Sequence, residues 1–303
     1  MMLPNLILMG AQKAGTTSLH EYLSYHPEIF SVSELKDRDF FSHPVRRTDP
    51  GLYMAKYMDG FKNEKWILHT HVNYLIYKQA VRNIKKFCPS DIKLLVILRA
   101  PTDRAISAFN YFKKLRREQR SIEDALCYPP QEIHDFSFEN NDFTYLEHGF
   151  YSEQLDVISQ SFDSNDLLLL DFDQLKNDPK FLFDRVSAFL NIDSNHNFEL
   201  KNRNVTGQVR SEIIQDILST GKILRFLKPV IQRYTTLDVR KRIKGRLTEL
   251  NTSKKKYSPE LPDKQLRLKL ENLFADDVHR LVKDYGFEAA RKWPEFAQGR
   301  GSS

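Results

Sequence analysis

The stretch Asn5–Leu23, NLILMGAQKAGTTSLHEYL, decides the fold of this chain. An apolar run from Leu3 to Met9 stops at Gly10, and Leu19, Tyr22 and Leu23 then recur at helical spacing, which predicts strand, glycine loop and helix in succession. Gly10 and Gly15 have the separation of the phosphate loop G-x-x-x-x-G-K-[ST], but Thr16 and Thr17 follow the second glycine and the lysine, Lys13, lies inside the loop. Backbone amides and the dipole at a helix N-terminus favour an anion in either case, and Thr16, Thr17 and Ser18 add hydroxyl donors. The shifted lysine changes where the positive charge sits. Nucleoside triphosphate hydrolysis uses the post-glycine lysine and a hydroxyl-bound Mg²⁺ on the β and γ phosphates, whereas a single 5′-phosphate carrying one transferable group needs less charge there. A plain helix start is the structural alternative for the same residues.

Working outward, Trp66 to Leu68 with Val72 beyond, IKLLVIL at Ile92 to Leu98, and DLLLLDF at Asp166 to Phe172 read as further buried strands. Helix-like stretches, Asp103 to Gln119 and Tyr151 to Phe162, lie between the last two. Strands alternating with helices predict an α/β, P-loop-like three-layer fold, with a central, mostly parallel sheet flanked by helices and right-handed crossovers. Beyond Asp171 the pattern is helical, from Pro179 and again from Pro262, the latter with Leu266, Leu270, Leu273, Val278 and Leu281 near a 3.6-residue period. Arg225 to Lys256, including SKKKY, is strongly basic and reads as a mobile or substrate-facing segment or a solvated loop. The expected organisation is one domain over residues 1–298, with a cofactor-binding core at 1–211 and a helical, basic region at 212–298. The closing GRGSS at 299–303 reads as a cloning scar.

With 41% hydrophobic and 12% aromatic residues among 303, the chain has the apolar area for a packed core, which excludes global disorder. The net charge of +6 favours a polyanionic cofactor, an acidic substrate, nucleic acid or an anionic membrane surface without choosing among them. The two cysteines, Cys88 and Cys127, lack the spacing of zinc ligands or a disulfide framework and read as reduced structural thiols. Neither a secretory leader nor an apolar run long enough for a membrane span is evident, so the expected location is the cytoplasm.

Directly after the strand Ile92 to Leu98 comes RAPTDRAISAFNYF, which puts Arg99 at the strand's carboxyl end and Ser107 one to two turns into the next helix. Ligands of open α/β sheets bind at that edge, and an arginine fork with a serine donor suits a phosphate. GAQKAGTTSL followed by LRAPTDRAISAF resembles the two cofactor signatures of the sulfotransferases that use 3′-phosphoadenosine 5′-phosphosulfate. KDRDFF at Lys36 to Phe41 is similar to the family's K-E-x-H-F-F, and YLEHGFYSEQL at Tyr145 to Leu155 and LLLLDFDQLKNDP at Leu167 to Pro179 resemble two later segments. The match runs in order over roughly residues 3–211, and LENLFADDVHRLVKDYG is similar to the closing helix of bacterial carbohydrate sulfotransferases.

The resemblance implies that Lys13 lies along the bridge between sulfonate and 5′-phosphate, neutralising charge that grows on the leaving phosphate. It implies that Ala14, Gly15, Thr16, Thr17 and Ser18 hold the 5′-phosphosulfate, that Arg99 and Ser107 hold the 3′-phosphate, and that Arg210, within NRNVTGQVRS, is a further 3′-phosphate candidate. The product is adenosine 3′,5′-bisphosphate, and no metal is required. The acceptor implied is a hydroxyl, or less readily an amine, of a saccharide or glycolipid, with no nucleic-acid partner.

Transfer needs a base for the acceptor's proton. The family's glutamate is replaced here by Asp37, one methylene shorter, and Asp39 stands at its histidine position. Two carboxylates two residues apart in an extended segment point to opposite sides, so one of them faces the acceptor. LHTHVNYL departs from the family's E-K-[ST]-P-x-Y in another way: Tyr74 fits, but Thr70 holds the lysine position, and His69 or His71 could partly replace that charge or act as the base. Two other readings stand beside sulfotransfer: a P-loop kinase of a small metabolite, and a non-catalytic binder of polyanions. The segments that would shape an acceptor cleft, 42–65, 128–144 and 225–256, carry no decodable motif, and the sequence leaves the oligomeric state open.

Overall fold

The computed structural model describes residues 3–31, 36–37, 39–42, 57–127, 142–194, 207–209 and 252–298. In chain order these form β1 (Leu6–Gly10), α1 (Thr16–Ser24), β2 (Ile29–Ser31), β3 (Trp66–Thr70), α2 (Lys78–Phe87), β4 (Lys93–Leu98), α3 (Pro101–Lys114), α4 (Ile122–Cys127), α5 (Tyr151–Ser159), β5 (Leu167–Asp171), α6 (Phe172–Asn177), α7 (Pro179–Leu190), β6 (Gly207–Val209), β7 (Thr252–Lys256), α8 (Lys264–Tyr285) and α9 (Pro294–Gln298). Two compact units result. The first comprises residues 1–105, 126–200 and 263–303, and the second 106–125 and 201–262.

The first unit is built on a parallel sheet of order β2-β3-β1-β4-β5. Leu6 to Met9 and Leu94 to Leu98 are completely buried, so the two central strands need no polar alternation. Each of these larger side chains contributes about 1.5–3 kcal/mol on burial. After β1 the chain moves towards β2 at one edge, and after β4 it moves to β5 at the other. The carboxyl ends of the adjacent strands β1 and β4 therefore form the switch point of the sheet, where open α/β folds bind ligands. The expected α/β architecture, a parallel sheet with flanking helices, is what the chain adopts.

Helix boundaries follow local chemistry. Asp178 accepts from the Phe181 N–H at 3.1 Å and Pro179 opens α7, so the motif NDP is a helix start. Asp263 caps α8 in the same way, accepting from the Leu266 N–H at 2.7 Å, and Gly286, at φ +62°, ends it. The buried stripe of α8 is Leu266, Leu270, Phe274, Val278 and Leu281, whereas Leu273, expected on that face, is 46% exposed. This stripe faces α5, where Asp277 accepts from the Ser152 N–H at 3.0 Å and Asp156 pairs with Arg280 at 2.8 Å.

Other expectations are corrected. Ile29–Ser31 forms an edge strand too short to leave a sequence signal. The helix expected at 103–119 runs from Pro101 and stops at Lys114, with Arg116 at φ +58° turning the chain away. Within the second unit, the basic Thr252–Lys256 is not a loop but a strand, β7, antiparallel to β6. In the same unit Asn110 accepts from the Tyr257 hydroxyl at 2.9 Å and donates to the Glu260 carbonyl at 2.8 Å, anchoring the chain just beyond β7. No helix among the described residues is long and apolar enough to cross a membrane.

Candidate active site

Parallel strands deliver their carboxyl ends to one sheet edge, so the loops after β1, β3, β4 and β5 are neighbours there. The β1 loop is pinned to β4 by the Ala11 N–H, which donates to the Ile97 carbonyl at 2.8 Å. Gly10 is required by close approach, since a Cβ there would lie 3.0 Å from Leu75 Cβ and 3.1 Å from the Val72 carbonyl oxygen. Gly15 is required by conformation and by space: its φ is +90°, and a Cβ would meet Phe172 Cδ2 and Leu175 Cδ2, both at 3.0 Å. Lys13 also takes a left-handed conformation, φ +66°, and is half-buried.

Gly15 is the N-cap of α1, and neither a capping side chain nor a first-turn acidic residue occupies the helix start. The first-turn N–H groups and the positive end of the dipole are thus left for an anion. Of the hydroxyl residues, Thr16 is buried, while Thr17 and Ser18 are exposed.

Arg99 follows β4 directly and is half-buried. Its Nη1 donates to the Lys13 carbonyl at 3.4 Å, and its guanidinium lies 4.8 Å from the centre of the Phe172 ring. Phe172, the first residue of α6, therefore touches both Arg99 and the place where a Gly15 Cβ would be. Sequence reasoning missed it; its only signal was its position directly after the strand-end Asp171. The structure thus brings together Lys13, Ala14, Gly15, the first turn of α1 and Arg99. Ser107 lies on α3, six residues after Pro101, is half-buried and falls within the second unit. Arg210 lies outside the described residues, as do 43–56, 128–141 and 225–251 of the segments expected to shape an acceptor cleft.

Asp37 does not sit in an extended segment. Its φ is +58°, its N–H donates to the Thr70 carbonyl at 2.8 Å, and its exposed carboxylate pairs with Lys36. Asp39 instead accepts from the Ser42 N–H at 2.9 Å, closing a local turn. Thr70, opposite Leu8 of β1, also bonds His20 of α1, Nδ1 to Oγ1 at 2.8 Å. One residue of β3 thereby ties the glycine-loop helix to the Asp37 turn. Burial, then the charge of Lys36, holds the His20 imidazole down at about 4, with Asp37 pulling the other way.

The neighbouring histidines are each held by hydrogen bonds. The Tyr74 oxygen accepts from the N–H groups of Phe40 at 2.7 Å and Phe41 at 3.3 Å, and lies within hydrogen-bond distance of His69 Nε2 at 3.0 Å. His71, stacked on Tyr74 with centroids 4.5 Å apart, accepts from the Asn73 N–H through Nδ1 at 3.3 Å. Burial lowers the His71 pKa, opposed by Asp39 and Asp37. At His71 the lone pair of Nδ1 is thereby taken.

The corner after Arg99 is held from two directions. Tyr151 donates its hydroxyl to the Arg99 carbonyl at 2.8 Å, and Glu295 of α9, completely buried, accepts from the Thr102 N–H at 2.9 Å and caps α3. Cys88 is a free thiol pushed up to about 12 by burial. Among the described residues no group of three or more His, Cys, Asp or Glu is placed to hold a metal ion.

Residues 3–226 match the family model described as "Sulfotransferase domain". The chain is 28% identical over 212 residues to the Mus musculus protein named bifunctional heparan sulfate N-deacetylase/N-sulfotransferase 4, covering 65% of this chain and 23% of that one. It is 27% identical over 191 residues to Mus musculus heparan sulfate glucosamine 3-O-sulfotransferase 5, covering 63% and 54%. The chain thus spans less than two thirds of the length of the curated relatives it matches. Among solved structures, a sulfotransferase from Alicyclobacillus acidocaldarius superposes with a TM-score of 0.69 at 22% identity, over 96% of this chain and 100% of that one, a likeness of fold.

Proposed function

The chain belongs to the sulfotransferase domain family, and from that membership we propose that it transfers a sulfonate from 3′-phosphoadenosine 5′-phosphosulfate to a hydroxyl, or less readily an amine, of a saccharide or glycolipid. The observation that carries the reading is the meeting, at the switch point, of an uncapped glycine-turn helix with the Arg99 guanidinium, 3.4 Å from the Lys13 carbonyl. The donor set suits a doubly anionic nucleotide. The first turn of α1 has no acidic residue, and Arg99 makes no ion pair with a carboxylate among the described residues.

When bound, the donor supplies an activated sulfonate and a good leaving group in adenosine 3′,5′-bisphosphate. The N–H groups of the α1 first turn bind the 5′-phosphate, Lys13 neutralises the charge gathering there, and Arg99 takes the 3′-phosphate in its fork. Ser107 and Arg210 are assigned to the 3′-phosphate on the motif alone. Asp37, exposed and hung from the end of β3, takes the acceptor's proton on its carboxylate. These residues position charges and do not form bonds to the transferred group, as in phosphoryl transfer. The two relatives named above are an N- and an O-sulfotransferase of heparan sulfate, which supports a saccharide acceptor and leaves the acceptor atom open.

The test is a titration followed by an assay. Adenosine 3′,5′-bisphosphate should bind without Mg²⁺, and labelled sulfonate should pass to a member of an oligosaccharide and glycolipid panel. Lys13→Ala should lower turnover by about 10²–10³ with the fold intact. Magnesium-dependent binding of ATP alone would assign a small-metabolite kinase. Salt-sensitive binding of generic polyanions, indifferent to Lys13→Ala, would assign a non-catalytic binder.

A further inference from the structure

We propose that residues 145–151 clamp the strand-end corner that presents Arg99, with Tyr151 and Arg104 as positioning residues for recognition of the 3′-phosphate; the inference rests on the donor assignment above. Three contacts from this short segment reach the six-residue corner 99–104. The Tyr151 hydroxyl donates to the Arg99 carbonyl at 2.8 Å. The Arg104 guanidinium donates through Nη2 to the Tyr145 carbonyl. Between them Gly149 lies so close to Pro101, the first residue of α3, that a Cβ would stand 3.1 Å from Pro101 Cβ and 2.7 Å from Phe274 Cε1.

The corner needs such support. β4 ends at Leu98 and α3 begins at Pro101, so the Arg99 carbonyl belongs to neither the sheet ladder nor the helix, and Tyr151 supplies its donor. Tyr151 is completely buried, and burial pushes its phenol well above the ordinary range, so it remains a donor at any working pH. Arg104 is also completely buried, yet its Nε and Nη1 have no hydrogen-bond partner among the described residues, and burial lowers its pKa to about 10. The buried Oε2 of Glu147, inside the same segment, likewise has no hydrogen-bond partner there, and the two groups feel each other electrostatically. Simple core filling would be met better by apolar side chains. What these polar groups supply is a fixed direction for the main chain from which the Arg99 side chain departs.

The experiment compares adenosine 3′,5′-bisphosphate with adenosine 5′-monophosphate by calorimetric titration of the full chain. Wild type should prefer the bisphosphate. Tyr151→Phe, which removes one oxygen and keeps the ring, should weaken the bisphosphate about five- to tenfold and leave the monophosphate unchanged. In the double variant with Arg99→Ala, the Tyr151→Phe loss should vanish. Arg104→Met should also lower the preference, and if it does not fold Tyr151→Phe still decides. A folded Tyr151→Phe protein with an unaltered preference, or one that weakens both nucleotides equally, overturns the clamp alone. A wild-type protein with no preference for the 3′-phosphate overturns the donor assignment together with the clamp.

Discussion

The Asp37 N–H donates to the Thr70 carbonyl across 2.8 Å, holding an aspartate in a left-handed turn at the end of the strand beside β1. The backbone that carries the exposed Asp37 side chain is thereby tied to the sheet. Asp37→Asn should keep affinity for adenosine 3′,5′-bisphosphate within twofold while turnover falls by about 10²–10⁴. Single-turnover sulfonate transfer, measured beside nucleotide titration, checks it. Undiminished transfer would remove Asp37 from the chemistry.

Gly15→Ala combines an unfavourable positive φ with an overpacked contact against Phe172 and Leu175. The expected cost is about 2–4 kcal/mol of stability, read as a lower urea midpoint at unchanged slope. Nucleotide affinity should fall with it, because the same residue sets the start of α1.

Tyr74→Phe leaves two buried N–H groups, those of Phe40 and Phe41, without their acceptor, and removes the hydroxyl that meets His69 Nε2. A loss of about 3 kcal/mol is expected by denaturant titration. A change under 1 kcal/mol would mean that the Tyr74 hydroxyl does not hold this turn.

His20 makes stability fall with acid. Its folded value of about 4 lies below the ordinary 6.5, so the unfolded chain binds its proton first as pH drops. The stabilisation is fully present above pH 6.5 and is lost progressively down to about pH 4, up to about 3 kcal/mol in all. His20→Gln should flatten that part of the stability-pH curve, leaving the slope that His71 contributes in the same direction. An equally steep curve in the variant would show that other groups carry it.

How much of this was legible from residues alone depends on how far apart the interacting partners lie in the chain. The loop at Gly10–Gly15 and the strand ending at Arg99 could be read because apolar runs and glycines act locally, and parallel order then brings both to one edge. Ile29–Ser31 could not, because three residues become a strand only by pairing with β3. The extended geometry expected at Asp37 fails for a similar reason: its partner, Thr70, is 33 positions away. The histidines beside Thr70 are candidate bases by residue type alone, whereas the hydrogen bonds that hold them, to Tyr74 and Asn73, come from the folded turn. Leu273 matched the helical period, yet Phe274 took the buried stripe, since periodicity fixes a face only to within one residue.

The carboxylate that caps α3 comes from Glu295, 193 residues downstream of Thr102. During synthesis the β1 loop can fold against β4 long before that cap leaves the ribosome, whereas the first turn of α3 must wait with exposed amides. A nascent chain thus fixes the β1 loop early and completes the α3 corner only when α9 arrives. Ribosome-stalled intermediates lacking residues beyond 290 should accordingly exchange amide hydrogens rapidly at Thr102 while those of β1 are already protected.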